Sequence, residues 1–442
     1  MKNLIIKNGR VIDPANNIDK KCDVLIVDGK FAEIGQQVNS GGSSANVIDA
    51  NGKLVLPGLI DIHVHFREPG DGEEETIASG SMAAVAGGFT SVVCMPNTDP
   101  PIDNATSIEY VHRMGRQTRK THVYVMGAIT KAREGQQLSE MGFMAEAGAV
   151  GFTDDGNGVQ NAAVMLRAMK YASMFKNVVL SQHCQDNSLA GSGVMNAGFN
   201  STSLGLPGID PLAEEMMIWR DIQLVRKTNM RYHVQHVSTA KSIELIRQAK
   251  KDCLPVTCEV SPHHLLLTDD DCRNYDTNYK VNPPLRTAKD IEAIKQAIRE
   301  GVIDALASDH APHLKSEKEL EFLAAPFGIA SIECALGLYI KALIDTKVID
   351  WPQLVSMMSQ KPAQIISVDK GTLTSGKQAD VTIIDPNVEY TVDVNKFYSK
   401  SKNCPYHGWK LKGKVEYTIV GGEIRFSGLA PAPVAGVQSR ER

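Results

Sequence analysis

The sequence predicts an α/β protein in which eight strand-then-helix units form a (β/α)8 barrel, flanked by a small β-sandwich built from both chain ends. Three observations support this fold class. Strand-like apolar runs alternate with helix-like runs between Gly58 and about Val368. Short β-type runs separated by turn pairs fill the first 56 residues and return after Ala379. Residues able to carry chemistry follow the ends of the predicted strands, where barrels of this kind place their sites.

The chain has 442 residues, which exceeds the usual size of one domain and favours a large unit with a smaller module. The pairs Asn8-Gly9 and Asp28-Gly29 are typical of tight turns between antiparallel strands, so we expect a meander before the barrel. The predicted segments are 1–57 for the N-terminal part of the sandwich, 58–368 for the barrel, 369–428 for the C-terminal part of the sandwich and 429–442 for a tail.

Eight strands and at least six helices are predicted within the barrel. The strands begin near Leu59, Thr90, His122, Val150, Val178, Tyr232, Val256 and Asp304. The clearest helical patterns cover 77–86, 162–176, 211–227, 240–251, 288–299 and 331–345. A doubly wound open sheet is the alternative, because the same alternation produces both folds. No glycine-rich phosphate-binding motif opens a helix, so a nucleotide site has no support.

Composition narrows the classes of partner. The net charge of −4 and the pI near 6.3 give no basic field for nucleic acid or anionic lipid, so we expect a small-molecule partner. No signal-peptide pattern and no apolar run of membrane-spanning length is present, so we expect a cytoplasmic protein. The eight cysteines lack CxxC spacing, which indicates neither a disulfide framework nor a cysteine-ligated zinc.

The first predicted barrel strand carries a metal-binding pattern. Asp61, His63 and His65 alternate with apolar residues, and the period of two puts their side chains on one face of the strand. Two imidazoles spaced in this way can bind one metal ion. The alternative is a pair of ordinary hydrogen-bonded histidines, because His-x-His alone is a weak motif.

Other strand ends supply further candidate ligands. They are Met95-Pro96-Asn97, Thr153-Asp154-Asp155-Gly156, Gln182-His183-Cys184, His236-Val237-Ser238, Pro262-His263-His264 and the run from Ser308 to His313. Zinc prefers imidazole and carboxylate ligands, and a barrel mouth brings strand ends together. Four imidazoles and two carboxylates are enough for two ions that share a bridging carboxylate and a bridging hydroxide. Asp154 and Asp155 point to opposite faces of a strand, and strand parity does not decide which of them enters the site.

These motifs together resemble the class I, bacterial-type dihydroorotases of the amidohydrolase superfamily. The resemblance runs over nearly the whole chain and rests on Ile62 to Gly70, Met95 to Thr98, Phe152 to Gly156, His236 to Thr239, Ser261 to His264, Asn282 to Arg286, Ser308 to His313 and Pro326 to Gly328. It implies two zinc ions per chain, bridged by Asp155 and a hydroxide, with His63, His65, Asp155, His183, His236 and Asp309 as ligands. It implies substrate contacts from His65, Arg67, Asn97, Asn282, His313, Phe327 and Gly328.

The resemblance also implies an activity, the reversible cyclisation of N-carbamoyl-L-aspartate to L-dihydroorotate in de novo pyrimidine biosynthesis. The bridging hydroxide would attack the ring carbonyl, and Asp309 would carry the proton to the ring nitrogen. Arg67 offers a bidentate fork for the substrate carboxylate. Gln185 is a departure, since the family more often has Glu there, and it puts the tuning of His183 in question.

Two alternatives stay open. Other cyclic-amide hydrolases, such as allantoinase and dihydropyrimidinase, share the superfamily, but relatives such as dihydropyrimidinases and hydantoinases use a carboxylated lysine as the bridge, and residues 148–155 contain no lysine. A non-catalytic partner of aspartate transcarbamoylase is the other alternative, although all six ligands are present here. We expect a homodimer by default, and association with aspartate transcarbamoylase is a further expectation.

Overall fold

The computed structural model describes residues 3–39 and 45–428. The glycine- and serine-rich residues 40–44 and the predicted tail at 429–442 lie outside the described residues. The chain begins with five strands, β1 (Asn3–Asp13), β2 (Ile18–Val27), β3 (Lys30–Gly35), β4 (Ala45–Asp49) and β5 (Leu54–Pro57). The first three strands pair in antiparallel order, and Asp28-Gly29 forms the predicted turn between β2 and β3. The turn predicted at Asn8-Gly9 is wrong, because this pair lies inside β1 at an irregularity of the β1–β2 register. β4 and β5 run parallel to β1.

The next ten strands are parallel, and eight of them form the barrel. The barrel strands are β6 (Leu59–Val64), β7 (Phe89–Cys94), β8 (His122–Gly127), β9 (Gly151–Phe152), β10 (Val179–Gln182), β13 (Tyr232–Val234), β14 (Val256–Val260) and β15 (Ala305–Leu306). The short pair β11 (Met195–Asn196) and β12 (Gly208–Ile209) lies between β10 and β13. Every predicted strand start lies within one residue of an observed one, because continuous apolar runs mark strands that are buried on both faces.

The barrel strands follow one another around the sheet in chain order. A parallel bridge between Val64 and His310 brings the first and last strands together. The predicted (β/α)8 architecture is therefore confirmed, and the open doubly wound sheet is not what the chain forms.

Fourteen helices occur in the described residues. They are α1 (Ile77–Ala86), α2 (Ala105–Thr118), α3 (Met141–Glu146), α4 (Ala162–Ala172), α5 (Asn187–Ala190), α6 (Phe199–Leu204), α7 (Leu212–Thr228), α8 (Ala240–Lys251), α9 (His263–Leu266), α10 (Ala288–Arg299), α11 (Lys315–Lys318), α12 (Ile332–Tyr339), α13 (Trp351–Val355) and α14 (Lys361–Ile365). A π-helical turn, Ile340–Ile344, continues α12. None of the helices in residues 3–39 and 45–428 is long and apolar enough to cross a membrane.

The chain ends share one sheet, as predicted. The last strands are β16 (Val381–Thr391), β17 (Lys410–Val420) and β18 (Glu423–Ser427), and β16 pairs with β5 in antiparallel order. All eight terminal strands are hydrogen-bonded into one mixed sheet with a separate apolar core that includes Val11, Val24 and Val381. The segment boundaries at 57/58 and 368/369 stay a prediction.

The glycine- and asparagine-rich composition of the segment 191–208 predicts a long surface loop, with a mobile flap as the alternative. The segment instead contains β11 and α6, and Met195 is buried in an apolar cluster with Leu285 and Phe322. The side chain of Arg286 donates to the Asn196 side chain at 2.9 Å. The expectation was wrong because glycine and asparagine density gave no sign of these long-range contacts.

Candidate active site

Strand β6 delivers His63 and His65 to the mouth of the barrel. Asp61, on the same face, accepts hydrogen bonds from the backbone N–H groups of His63 at 3.1 Å and Ser308 at 3.1 Å. This carboxylate therefore ties the first strand to the segment that carries Asp309. Its complete burial raises the pKa of Asp61 to about 7.

The residues predicted as metal ligands lie together at the carboxyl ends of the strands. His63, His65 and Asp309 each place one ligand atom within 4.8 Å of the others, and so do His63, Asp155 and His236. The two groups share His63, which gives two adjacent sets of ligands.

Individual distances define the cluster. The Nε2 atom of His63 lies 3.5 Å from both Asp155 Oδ1 and Asp309 Oδ1. The Nε2 atom of His65 lies 3.2 Å from Asp309 Oδ1. His183 joins through its Nδ1 atom, which lies 2.9 Å from His236 Nε2. All six predicted ligands are therefore in one cluster.

The structure distinguishes the two adjacent aspartates. Asp154 turns away, and its carboxylate accepts from the backbone N–H groups of Ile129 at 2.8 Å and Thr130 at 3.0 Å. Asp155 faces the histidines, and its Oδ1 atom lies 3.8 Å from His236 Nε2. Burial alone raises the pKa of Asp155, but the neighbouring imidazoles lower it well below its usual value, so this carboxylate is an anion.

Several atoms of the cluster fit a metal site. His63 Nε2, Asp155 Oδ1 and His236 Nδ1 are buried and have no hydrogen-bond partner among the described residues. Leaving a buried polar atom without a partner costs about 1–3 kcal/mol, and such groups are rare in native proteins. Imidazole nitrogens and carboxylate oxygens are the donor set that zinc and similar divalent ions prefer. The residues present therefore fit divalent metal.

Glu259, the next-to-last residue of β14, was not among the predicted site residues. Its carboxylate lies 2.6 Å from His63 Nδ1 and 3.1 Å from His233 Nε2. Burial raises the pKa of Glu259, but these two imidazoles outweigh it and lower the pKa to about 2. The carboxylate thus fixes the ring of His63 with Nε2 toward the cluster. The sequence feature that could have identified Glu259 is an acidic residue inside an apolar strand run.

His263 is a second residue that sequence reasoning left without a role. Both of its ring nitrogens are buried without a partner among the described residues, and Nε2 lies 3.9 Å from Asp309 Oδ2. Burial lowers the pKa of His263 to about 4, so the ring is neutral. The position of His263 just after the end of β14 is the sequence feature that could have identified it as a site residue.

A cavity of about 300 Å³ opens above the cluster. Its lining includes all the predicted substrate-contact residues, namely His65, Arg67, Asn97, Asn282, His313, Phe327 and Gly328. No lysine lines it, within the part of the chain that the structure describes.

Arg67 is buried at the edge of this cavity and is already paired. Its Nε atom lies 2.9 Å from a carboxylate oxygen of Glu74, and Nε and Nη2 both donate to the Pro312 carbonyl. Glu74 also lies 3.0 Å from His313 Nδ1, so this carboxylate contacts both side chains. Among the described residues Nη1 of Arg67 makes no hydrogen bond, which leaves that end of the fork for a ligand.

The other predicted contacts differ in how far they are engaged. Asn97 Oδ1 lies 2.8 Å from His65 Nδ1, and Asn282 Nδ2 lies 3.3 Å from His183 Nε2. The Phe327 carbonyl accepts from His313 at 2.8 Å, and the Gly328 N–H donates to the Lys280 carbonyl at 2.9 Å. The asparagines therefore orient the histidines, while the Phe327 carbonyl and the Gly328 N–H are used within the protein.

Gln185 does not contact the ring of His183. Its side-chain amide donates to the Asn187 side chain at 3.3 Å. The ring of His183 contacts His236 and Asn282 instead. The departure at Gln185 therefore leaves the immediate surroundings of His183 intact.

Three site residues adopt left-handed backbone conformations. The φ angles are +59° at Arg67, +30° at His236 and +49° at Asp309. This region costs about 1–2 kcal/mol for a residue with a Cβ atom. Such strain clusters at functional sites, where the surrounding structure holds side chains in a required geometry.

Comparisons with known proteins agree with this geometry. The family described as "Dihydro-orotase-like" matches residues 52–242, and the family described as "Amidohydrolase family" matches residues 229–426. The chain is 48% identical over 421 residues to the dihydroorotase of Acetivibrio thermocellus, covering 95% of this chain and 98% of that relative. It is 50% identical over 422 residues to the dihydroorotase of Pelotomaculum thermopropionicum, covering 95% and 98%.

Solved structures give the same architecture. The L-hydantoinase (dihydropyrimidinase) of Arthrobacter aurescens superposes with a TM-score of 0.86 at 27% identity over 96% of each chain. The dihydropyrimidinase of Brevibacillus agri superposes with a TM-score of 0.83 at 23% identity, over 96% of this chain and 94% of that one, which supports the fold alone.

The barrel and its histidine and aspartate cluster define a metal-dependent hydrolase of the amidohydrolase superfamily. Within that superfamily the chain belongs to the dihydroorotase family.

Proposed function

We propose that this chain catalyses the reversible cyclisation of N-carbamoyl-L-aspartate to L-dihydroorotate in de novo pyrimidine biosynthesis. The observation that carries the proposal is the convergence of four imidazoles and two carboxylates beside a buried arginine with one free end. The sequence identity to curated dihydroorotases over nearly the whole chain supports it.

His63, His65, Asp155, His183, His236 and Asp309 would hold two zinc ions. When bound, such ions lower the pKa of a coordinated water to about 7 and polarise a substrate carbonyl. The buried atoms without partners described above would face the ions. Glu259 keeps the ring of His63 in place by accepting from Nδ1.

In this mechanism Asp309 moves the proton. In the ring-opening direction its carboxylate takes the proton of the attacking water and passes it to the leaving ring nitrogen. Burial raises the pKa of Asp309, but the surrounding imidazoles lower it below its usual value, so the group starts as the anion that a base requires. Its Oδ1 atom lies 3.2 Å from His65 Nε2, inside the cluster rather than at its edge.

Arg67 would bind the substrate carboxylate through its free Nη1 end. Glu74 and the Pro312 carbonyl hold the other side of the guanidinium, so the group is preorganised. Asn97 and His313 lie in the same cavity and would supply supporting hydrogen bonds. Asn282 and the backbone of Phe327 would hydrogen-bond the pyrimidine ring. The same role predicted for the backbone of Gly328 is not retained, because its N–H and carbonyl are already hydrogen-bonded to Lys280 and Lys318.

The alternative activity is that of a dihydropyrimidinase or hydantoinase, because solved relatives carry those names. Their carboxylated lysine has no counterpart here, since Asp155 occupies the centre of the cluster. A homodimer, association with aspartate transcarbamoylase and a cytoplasmic location stay predictions.

The test is an assay of purified protein for dihydroorotate formation from N-carbamoyl-L-aspartate, before and after chelation. We expect activity, its loss on removal of metal and its return with zinc. Turnover of dihydrouracil in place of dihydroorotate would favour the alternative, and activity that survives complete metal removal would contradict the proposed site.

A further inference from the structure

Residues 322–328 form one side of the cavity, and we call them the wall segment. Pro326, Phe327 and Gly328 line the cavity directly. The carbonyl oxygens of six of the seven wall residues accept hydrogen bonds from four side chains, those of Lys280, Lys318, His313 and Asn403. Two of these side chains are lysines to which no role has been assigned so far.

Lys280 and Lys318 divide the wall segment between them. The Nζ atom of Lys280 donates to the carbonyls of Phe322 at 2.6 Å, Leu323 at 3.1 Å and Ala325 at 2.6 Å. The Nζ atom of Lys318 donates to the carbonyls of Pro326 at 2.8 Å and Gly328 at 3.2 Å. The oxygens of these carbonyls are therefore turned to ammonium groups and not to the cavity.

Both lysines are buried, with exposed fractions of 2% for Lys280 and 8% for Lys318. Among the described residues no carboxylate oxygen lies within 4 Å of either Nζ atom. Burial lowers the pKa of Lys280 to about 8, and burial together with repulsion from Lys280 lowers the pKa of Lys318 to about 7. A buried ammonium group costs several kcal/mol unless other charges or dipoles compensate for it.

Arg67 and His313, which line the cavity, supply little net positive charge to it. Arg67 is paired with Glu74, and the ring of His313 is neutral because burial and Arg67 lower its pKa to about 3. Lys280 and Lys318 are thus basic groups behind the cavity whose Nζ atoms face main-chain carbonyls rather than carboxylates. Lys280 Nζ lies 4.7 Å from the ring centroid of Phe327, so only that side chain separates it from the lining.

We propose that Lys280 and Lys318 are positioning residues that set the affinity of the cavity for a carboxylate-bearing substrate. They hold the wall carbonyls away from the bound anion and place two positive charges behind the wall segment. The anion in turn offsets the cost of burying the lysines. This inference rests on the proposed function, because it concerns the carboxylate of that substrate.

The test compares Lys280→Met and Lys318→Met with Lys315→Met, in the full chain loaded with zinc. Lys315 lies on the same short helix as Lys318 but is exposed, with Nζ 3.4 Å from Glu319, so it is the matched control. We expect KM for dihydroorotate to rise about tenfold in each buried-lysine variant, with kcat within about threefold of the parent. Lys315→Met should leave both constants unchanged.

A rise in KM without a change in kcat distinguishes this role from a purely structural role of the two lysines. A charge that acts on the carboxylate affects the ground state and the transition state alike, so KM changes and kcat does not. Equal losses of kcat and kcat/KM, or an unchanged KM, would overturn the inference. If Lys280→Met does not fold, Lys318→Met alone tests the inference. Lys318 holds only two wall carbonyls, so its replacement removes fewer contacts. An inactive parent enzyme would instead contradict the proposed function.

Discussion

The floor and the wall of the cavity differ in how far their polar atoms are hydrogen-bonded within the protein. The metal floor, defined as the six proposed ligands, contains buried nitrogen and oxygen atoms without hydrogen-bond partners. The wall segment has six carbonyls that are all taken by side chains of the protein. Unused donor atoms indicate a place prepared for an added ion, whereas fully used carbonyls indicate a surface whose shape is fixed before substrate arrives. Changes in the floor should therefore affect chemistry and metal, and changes in the wall should affect binding.

The largest effect is expected at Asp309. Asp309→Ala removes both the proton carrier and a floor ligand, so kcat should fall by about 10³-fold or more while the fold persists. Steady-state kinetics and circular dichroism together test this. Asp345→Ala, at an exposed position outside the cavity, is the control and should retain full activity. Substantial activity in Asp309→Ala would remove this residue as the proton carrier.

A floor effect without direct contact to substrate is expected at Glu259. Glu259→Gln removes the anion that accepts from His63 Nδ1, and changes of this kind typically weaken metal affinity about 10–100-fold. Zinc titration against a competing chelator measures the change. Glu300→Gln, on the outer surface, should leave zinc affinity as it was. If Glu259→Gln bound zinc as tightly as the parent, the orienting role of Glu259 would be wrong.

The floor was far easier to predict from sequence than the wall. His63 and Asp309 follow apolar strand runs, and parallel strands in a barrel bring such positions together whatever their separation in sequence. Glu259 was not predicted as a site residue because it lies inside an apolar strand run, whereas site residues were predicted at strand ends.

Phe327 and Gly328 of the wall were predicted through the resemblance, but the hydrogen bonds that hold the wall could not be predicted because they join loops. Lys280 and the Phe322 carbonyl are 42 residues apart and belong to no periodic pattern. A lysine in a loop predicts an exposed side chain, since lysine is almost never fully buried without a partner. Only the folded arrangement reveals that the partners are main-chain oxygens. The same reason explains why the contacts of the segment 191–208 were not predicted, because its composition does not indicate long-range contacts.

Arg67 lies where the floor meets the wall, and an intermediate effect is expected there. Arg67→Lys cannot reproduce the fork that contacts Glu74 and Pro312 while leaving Nη1 free, so KM for dihydroorotate should rise about tenfold with little change in kcat. The comparison substrate is dihydrouracil, the same ring without the carboxylate. Equal losses for both rings would contradict a role for Arg67 in binding the carboxylate.

The smallest effect is expected at Asn403, which supports the wall from the C-terminal segment. Its side chain accepts from the His313 N–H at 3.0 Å and donates to the carbonyls of Ala311 at 3.0 Å and Gly328 at 3.1 Å. Asn403→Ala leaves Lys318 as the side chain that still holds the Gly328 carbonyl, so KM should rise only about threefold with zinc content unchanged. Asn395→Ala, on the exposed surface of the same segment, should leave both KM and zinc content unchanged. Loss of zinc in Asn403→Ala would show that floor and wall are coupled, and the distinction between the two regions would fail.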